Sequence, residues 1–205
     1  MVATRSDFAT TLKQVVLSYR DSNQRSVRPN TQAVVAALLQ AEKAVKKQRL
    51  QYSPDALLGT WQLCFTAPRN AHLQGDRVIG RGFYVPQIIP AQISFQAGAS
   101  QVETSQEMPV AIGNQLRVGG LVLQLTGPAR YAAKNLLAFD FTQWQLCLLG
   151  RTLLHGTMRG GKAHTPSFGE QPIGKLPFFA FFWITEDCIA ARGRGGGIAL
   201  WLKVP

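Results

Sequence analysis

The sequence predicts one mainly β domain, an antiparallel barrel or sandwich set behind N-terminal α-helices. Three observations carry that expectation. The first stretch, roughly fifty residues, repeats apolar side chains at helical spacing. From Thr60 onward the spacing falls to two, the period of a strand with one buried face. The strand-like segments then follow one another at short intervals, divided by turn signals and without helices between them, which argues against a parallel α/β sheet.

In the first helical segment Phe8, Leu12, Val15, Val16 and Tyr19 form the stripe, with Ser6 expected as the N-cap. A second helix is expected to start at Pro29 followed by Asn30 or Thr31, with Val34, Val35, Leu38, Leu39 and Val45 on one side. Lys43, Lys46, Lys47 and Arg49 crowd its last turns, where cations suit the helix dipole; they form either a solvated end or a membrane-contact face. "YSPDALLG" breaks the pattern, so residues 1–52 read as a helical lead-in and 53–205 as the β region of the same domain. In "TWQLCFT", Trp61, Leu63 and Phe65 alternate with polar or small residues. Further strands are expected at 79–85, 91–97, 101–107, 115–126, 135–148, 152–158, 178–184, 187–192 and 197–204. The run "FFAFFWI" is apolar on both faces. Phe178, Ala180, Phe182 and Ile184 are expected to point one way, and Phe179, Phe181 and Trp183 the other. A strand between the barrel interior and the N-terminal helices reads like this; a loop dipping into a membrane is the alternative.

Composition bounds the function classes. With 205 residues, 46% hydrophobic and 16% charged, the chain can bury a sizeable core without disulfides or metals. Cys64, Cys147 and Cys188 are scattered and read as small buried apolar residues in a reducing compartment. No apolar run reaches the ~18 residues of a membrane span, and "MVATRSDFAT" lacks the apolar core of a secretory signal. The net charge of +11 favours an anionic partner: nucleic acid, lipid headgroups or an acidic protein.

The common catalytic signatures are missing: GxxxxGK[ST], GxSxG and HExxH do not occur. His72, His155 and His164 have no second ligand at metal-binding spacing, and nothing in the spacing sets Asp140, Glu186 and Asp187 as an acid/base pair. No catalytic residue, metal or cofactor is therefore expected. The cluster "RGRGGGI" is the most conspicuous motif. A GxGxxG beginning at Gly193 requires glycine at the position of Ile198, and no helix follows to hold a phosphate. It reads as a hairpin turn from Arg192 to Gly197 whose glycines supply positive φ, with Arg194 exposed.

The two ends of the β region together resemble the plastid-lipid-associated proteins, or fibrillins. The first end is "DALLGTWQLCFTAP", with Gly59 and Trp61; the second is "WITEDCIAARGRGGGIALWLK", with Trp183, Ile184, Glu186, Asp187, Arg192, Gly193 and Gly196. Thr185 stands where that family usually has an aspartate, and Ile189 where it has its first arginine. The resemblance implies a lipocalin-like antiparallel barrel. It also implies non-enzymatic binding of lipids or prenylated molecules such as quinones or carotenoids. The expected place is the cytoplasmic face of a thylakoid membrane, or the plastid stroma or plastoglobules in a eukaryote. The expected interior, lining a ligand cavity or filling the core, is Trp61, Leu63, Phe65, Phe139, Phe141, Phe182 and Leu200. Gly59, Trp61, Arg192 and Gly193 are expected at barrel closure, with the Arg192 guanidinium stacked on the Trp61 indole. Expected partners are a lipid or isoprenoid ligand and an anionic membrane surface, without nucleic acid. Two rival readings remain. One is a lipocalin-type bilin lyase using Arg81, Arg117 and Arg151 toward propionates; the other is a basic barrel for single-stranded nucleic acid.

Overall fold

The computed structural model describes residues 5–21, 27–75, 77–98, 108–132, 134–158 and 168–204. Two helices lead the chain: α1 (Arg5–Arg20) and α2 (Thr31–Gln48). Ser6, the expected N-cap position, falls inside α1, which already runs from Arg5. Asn30 does cap α2: its side-chain oxygen accepts the Ala33 N–H at 2.8 Å. Among the described residues no helix is long and apolar enough to cross a membrane.

Among the described residues thirteen strands follow, namely β1 (Gly59–Ala67), β2 (His72–Gln74), β3 (Arg77–Ile79), β4 (Phe83–Tyr84), β5 (Ala91–Ala97), β6 (Met108–Val118), β7 (Leu121–Ala132), β8 (Leu136–Phe139), β9 (Gln143–Leu148), β10 (Arg151–Thr157), β11 (Phe178–Ile184), β12 (Cys188–Gly193) and β13 (Ile198–Lys203). Eight of them close an antiparallel barrel in the order β1-β5-β6-β7-β8-β11-β12-β13, with β13 returning to β1. The expected barrel with N-terminal helices is therefore the architecture. The expected strand 101–107 lies outside the described residues. The expected strand 115–126 is instead the tip of the β6–β7 hairpin, which turns at Gly119 and Gly120.

The segment 135–148 is one path along β7 broken at Asp140–Thr142, and there the sheet forks. β8 pairs with β7 over Ala129–Ala132 and stays in the barrel; β9 pairs with β7 over Leu121–Thr126 and leaves it, carrying β10 along its far edge. Gly127 permits the fork, since a Cβ there would stand 1.8 Å from the Asp140 carbonyl oxygen. The result is a four-stranded extension, β6-β7-β9-β10, standing off the barrel.

The core has two compartments. Inside the barrel, Trp61, Ile93, Phe95, Ile112, Leu137 and Phe181 pack with Ile189 and Trp201. Outside it, Phe8, Leu12, Val34 and Leu38 of the helices pack on Cys64, Phe65, Phe182, Ala190 and Leu200. β11 is covered on both faces, but its parity is not the expected one. A bulge between Phe181 and Trp183 places Phe181 and Ile184 inside and both Phe182 and Trp183 outside, where Trp183 meets Phe8 edge-on at 5.6 Å. A similar bulge in β1, between Leu63 and Phe65, sends Cys64 and Phe65 outward.

Candidate functional site

Those bulges sort the residues expected to line the barrel. Trp61, Leu63, Phe139 and Phe141 belong to the inner cluster. Phe65, Phe182 and Leu200 do not; they sit under the helices. For Phe65 and Phe182 the cause is the extra residue in each strand. For Leu200 it is register: Trp201 stands opposite Leu63 on the inner face, so its neighbour Leu200 faces out. The inner face is occupied by rings that touch one another. Phe139 stacks on Phe179 at 4.9 Å, Phe179 meets Trp201 edge-on at 5.5 Å, and Phe139 lies 5.2 Å from Phe141. These contacts cover the inner face between β8 and β13 with aromatic side chains.

The closure residues divide in the same way. Trp61 donates its indole N–H to the Leu57 carbonyl at 2.7 Å. The cation over its ring is Lys203, 4.2 Å from the ring centroid, not Arg192. Register explains the correction, because Lys203 is the direct cross-strand partner of Trp61, whereas Arg192 pairs with Ile198 further along β13. The Lys203 ammonium also donates to the Leu58 carbonyl, and desolvation holds its pKa below the usual lysine value. Gly59 is needed beside it: its φ is +117°, and a Cβ would stand 2.5 Å from the Lys203 nitrogen.

Arg192 serves the outer compartment. Its Nε and Nη2 donate to the two carboxylate oxygens of Glu42 on α2, at 2.9 and 2.6 Å, while Nη1 donates to the Gly196 carbonyl. Lys46 adds a third donor to Glu42 at 2.9 Å. Burial alone would raise the Glu42 pKa; the hydrogen bonds from Arg192 and Lys46 outweigh it and hold the carboxyl below 4.5. The β12–β13 connection is the expected glycine turn, closed by Gly193 N–H to Gly197 O at 2.9 Å. Within it only Gly196 has positive φ. Arg194 is not merely a free charge, since it donates to the Lys175 and Leu176 carbonyls at 2.8 and 3.2 Å.

Asn135 carried no signal in the sequence and joins the lead-in to the barrel. It is buried at a φ of +59°. Its amide donates to Leu50 O at 2.8 Å, and its side-chain oxygen accepts from Tyr52 N–H at 2.9 Å and Tyr131 O–H at 3.0 Å. Burial, then the neighbouring Tyr52, push the Tyr131 pKa up to about 12.

The extension supplies a surface that strand periodicity alone did not single out. Val110 and Ile112 point into the barrel, so Asn114, Leu116 and Val118 follow on the same face of β6. Register then aligns Leu121, Leu123 and Leu125 of β7, Trp144, Leu146 and Leu148 of β9, and Leu154 of β10 with them. The barrel's inner face thus runs out past the rim as a leucine face, and Leu116, Leu121, Leu148 and Leu154 on it are exposed. Phe141, partly buried, stands at its root between β8 and β9. The reverse face is polar, with Gln124 bonded to Gln115 at 3.0 Å and Gln145 to Thr152 at 2.6 Å. A concavity of about 270 Å³ there is lined by Gln124, Gln143, Gln145 and His155 among others.

Of the arginines expected as carboxylate donors, Arg117 and Arg151 are exposed on the extension and Arg81 is exposed in the β3–β4 connection, away from the inner cluster. His164 lies outside the described residues, and among those described no group of three or more His, Cys, Asp or Glu is placed to hold a metal. Asp187 pairs with Arg20 of α1 at 2.7 Å, on the protein's exterior. No protein-family model, no curated protein and no solved structure matches the chain.

Proposed function

We propose that this protein binds lipids or prenylated apolar molecules without transforming them, and that the ligand lies along the leucine face against Phe141. One observation carries the reading: the barrel's inner face continues beyond the rim as an open apolar sheet surface. A ligand hiding roughly 300 Å² of apolar surface there gains about 7 kcal/mol before association costs, at ~25 cal/mol per Å². The aromatic rings packed across the inner face favour this outer face over a site deep in the barrel. The likeness of the strand-region ends to plastid-lipid-associated proteins supports the same ligand class, and a photosynthetic membrane as its source.

The test is titration with a prenylquinone and with a fluorescent fatty acid, read by quenching of tryptophan emission. Leu123→Asp and Leu146→Asp are expected to abolish binding, because each places a carboxylate in the apolar contact. Full binding by both folded variants, or no binding by the wild-type chain, overturns the reading.

A further inference from the structure

The far end of the extension departs from turn chemistry. The β9–β10 hairpin turns on Leu149 and Gly150, with φ values of +49° and +81°. Both central residues of such a two-residue turn favour glycine, asparagine or aspartate. Leucine at positive φ costs roughly 1–2 kcal/mol, and this leucine is 82% exposed. The chain thus accepts backbone strain and a hydration penalty at one position to keep an isobutyl group in solvent. Such broken local rules concentrate at functional sites.

The surroundings extend the feature. The Leu149 N–H donates to the Gly120 carbonyl at 2.9 Å, so the tip of the β9–β10 hairpin lies against the tip of β6–β7. Val118, Leu121 and Leu148 flank the joined tips and are exposed. The connection from β4 to β5 is tied to the same sheet by Arg117 N–H to Pro90 O at 3.1 Å and carries Ile88, 83% exposed. Arg117 and Arg151 stand at the ends of strands meeting these turns. From residue 77 to 98 there is no acidic side chain, and from 108 to 158 only Asp140, back at the fork.

We propose that this end of the extension is a docking tip for an anionic lipid bilayer, with Leu149 and Ile88 entering the acyl region and Arg117 and Arg151 meeting the headgroups. Charge decides among the occupants. A second copy applied to the tip would bring arginines against arginines with no carboxylate to receive them. Nucleic acid has no use for five exposed aliphatic side chains in the contact. An anionic bilayer satisfies both halves of the surface at once. The proposal rests on the lipid-binding reading, since a tip so placed holds the leucine face beside the source of its ligand.

The experiment is co-sedimentation of the full chain with phosphatidylcholine vesicles, with and without phosphatidylglycerol, beside equilibrium unfolding of each variant. Leu149→Asn relieves the turn, so it is expected to raise the unfolding midpoint while weakening binding to anionic vesicles on the order of tenfold. Arg117→Gln and Arg151→Gln are each expected to cost about fivefold on anionic vesicles and little on neutral ones. Ile88→Asp is expected to lower affinity for both. Undiminished vesicle binding by Leu149→Asn overturns the proposal, as does a concentration-dependent dimer that Leu149→Asn makes monomeric. Quenching by the prenylquinone without vesicles separates the two readings. Loss of vesicle binding with quenching intact in the wild-type chain sinks the docking tip alone. Vesicle binding without quenching sinks the ligand face alone.

Discussion

Removing either partner of the Glu42–Arg192 pair is expected to loosen the helices from the barrel at a cost that the pair's burial sets. The two side chains retain only 10% and 23% exposure and share two hydrogen bonds across 150 residues of sequence. Breaking a buried pair from one side costs about 3–5 kcal/mol, mostly because the remaining charge is left unpaired. Lys46 softens one arm of the comparison. It keeps a bond to Glu42, but its own side chain is 74% exposed and such a pair is worth only ~0.3–0.5 kcal/mol. Arg192→Ala and Glu42→Ala should therefore each cost about 3 kcal/mol, and the double variant clearly less than the sum. At this chain length that corresponds to a fall in Tm of roughly 6–12 °C. Urea unfolding followed by far-UV circular dichroism measures it. Because the Glu42 pKa is lowered in the folded state, its contribution is complete above 4.5 and is lost as pH falls through the lower folded value. Glu42→Gln should flatten the stability profile in that window. Single-variant costs under about 1 kcal/mol that simply add would refute the idea that this pair holds the helices in place.

Two further outcomes test the backbone. Asn135→Gly keeps the left-handed conformation and loses only the side-chain bonds, whereas Asn135→Ala adds strain at a φ of +59°; the glycine variant should lose about 2–4 kcal/mol and the alanine variant about 1 kcal/mol more, read by the same unfolding assay. In the glycine turn, Gly196→Ala should cost on the order of 1 kcal/mol, with φ at +89° and the Arg69 side chain 2.7 Å from a new Cβ; Gly195→Ala, with open space around it, should be silent in thermal unfolding.

The architecture was legible because its signals are local. The helix stripes at Leu12 and Leu38, the period-two run from Trp61, and the glycines before Ile198 each specify their own few residues. Which face of a strand points inward was not legible past the first bulge. One added residue at Leu63–Phe65 or Phe181–Trp183 reverses every later side chain, and no composition marks it. The same limit misassigned the partner of Trp61. Both Arg192 and Lys203 are cations near the C-terminus, and only register tells them apart. The leucine face was hidden for a different reason. "LVLQLT" and "QWQLCL" read as ordinary half-buried strands, and only the fork at Gly127 shows that nothing in the described chain packs over their tips.

The edge of the extension bears on what that face is for. Among the described residues β10 is the edge strand, and a long flat edge beside exposed leucines would invite pairing with another chain. The strand carries several of the features that prevent it. It begins with a charge at Arg151, shifts register between Thr152 and Leu154, and has Gly156 beneath the Trp144 ring, 2.9 Å from where a Cβ would stand. Each of these twists or blunts the edge against strand addition. The leucines of the face receive no such protection: no charged residue interrupts them from Leu116 through Leu125 on that side. A sequence that guards its hydrogen-bonding edge while leaving its apolar face open is selective about the chemistry it admits. That arrangement disfavours a β-strand, which needs the edge, and does not oppose a partner that needs only apolar area. The lipid chain proposed as ligand is such a partner.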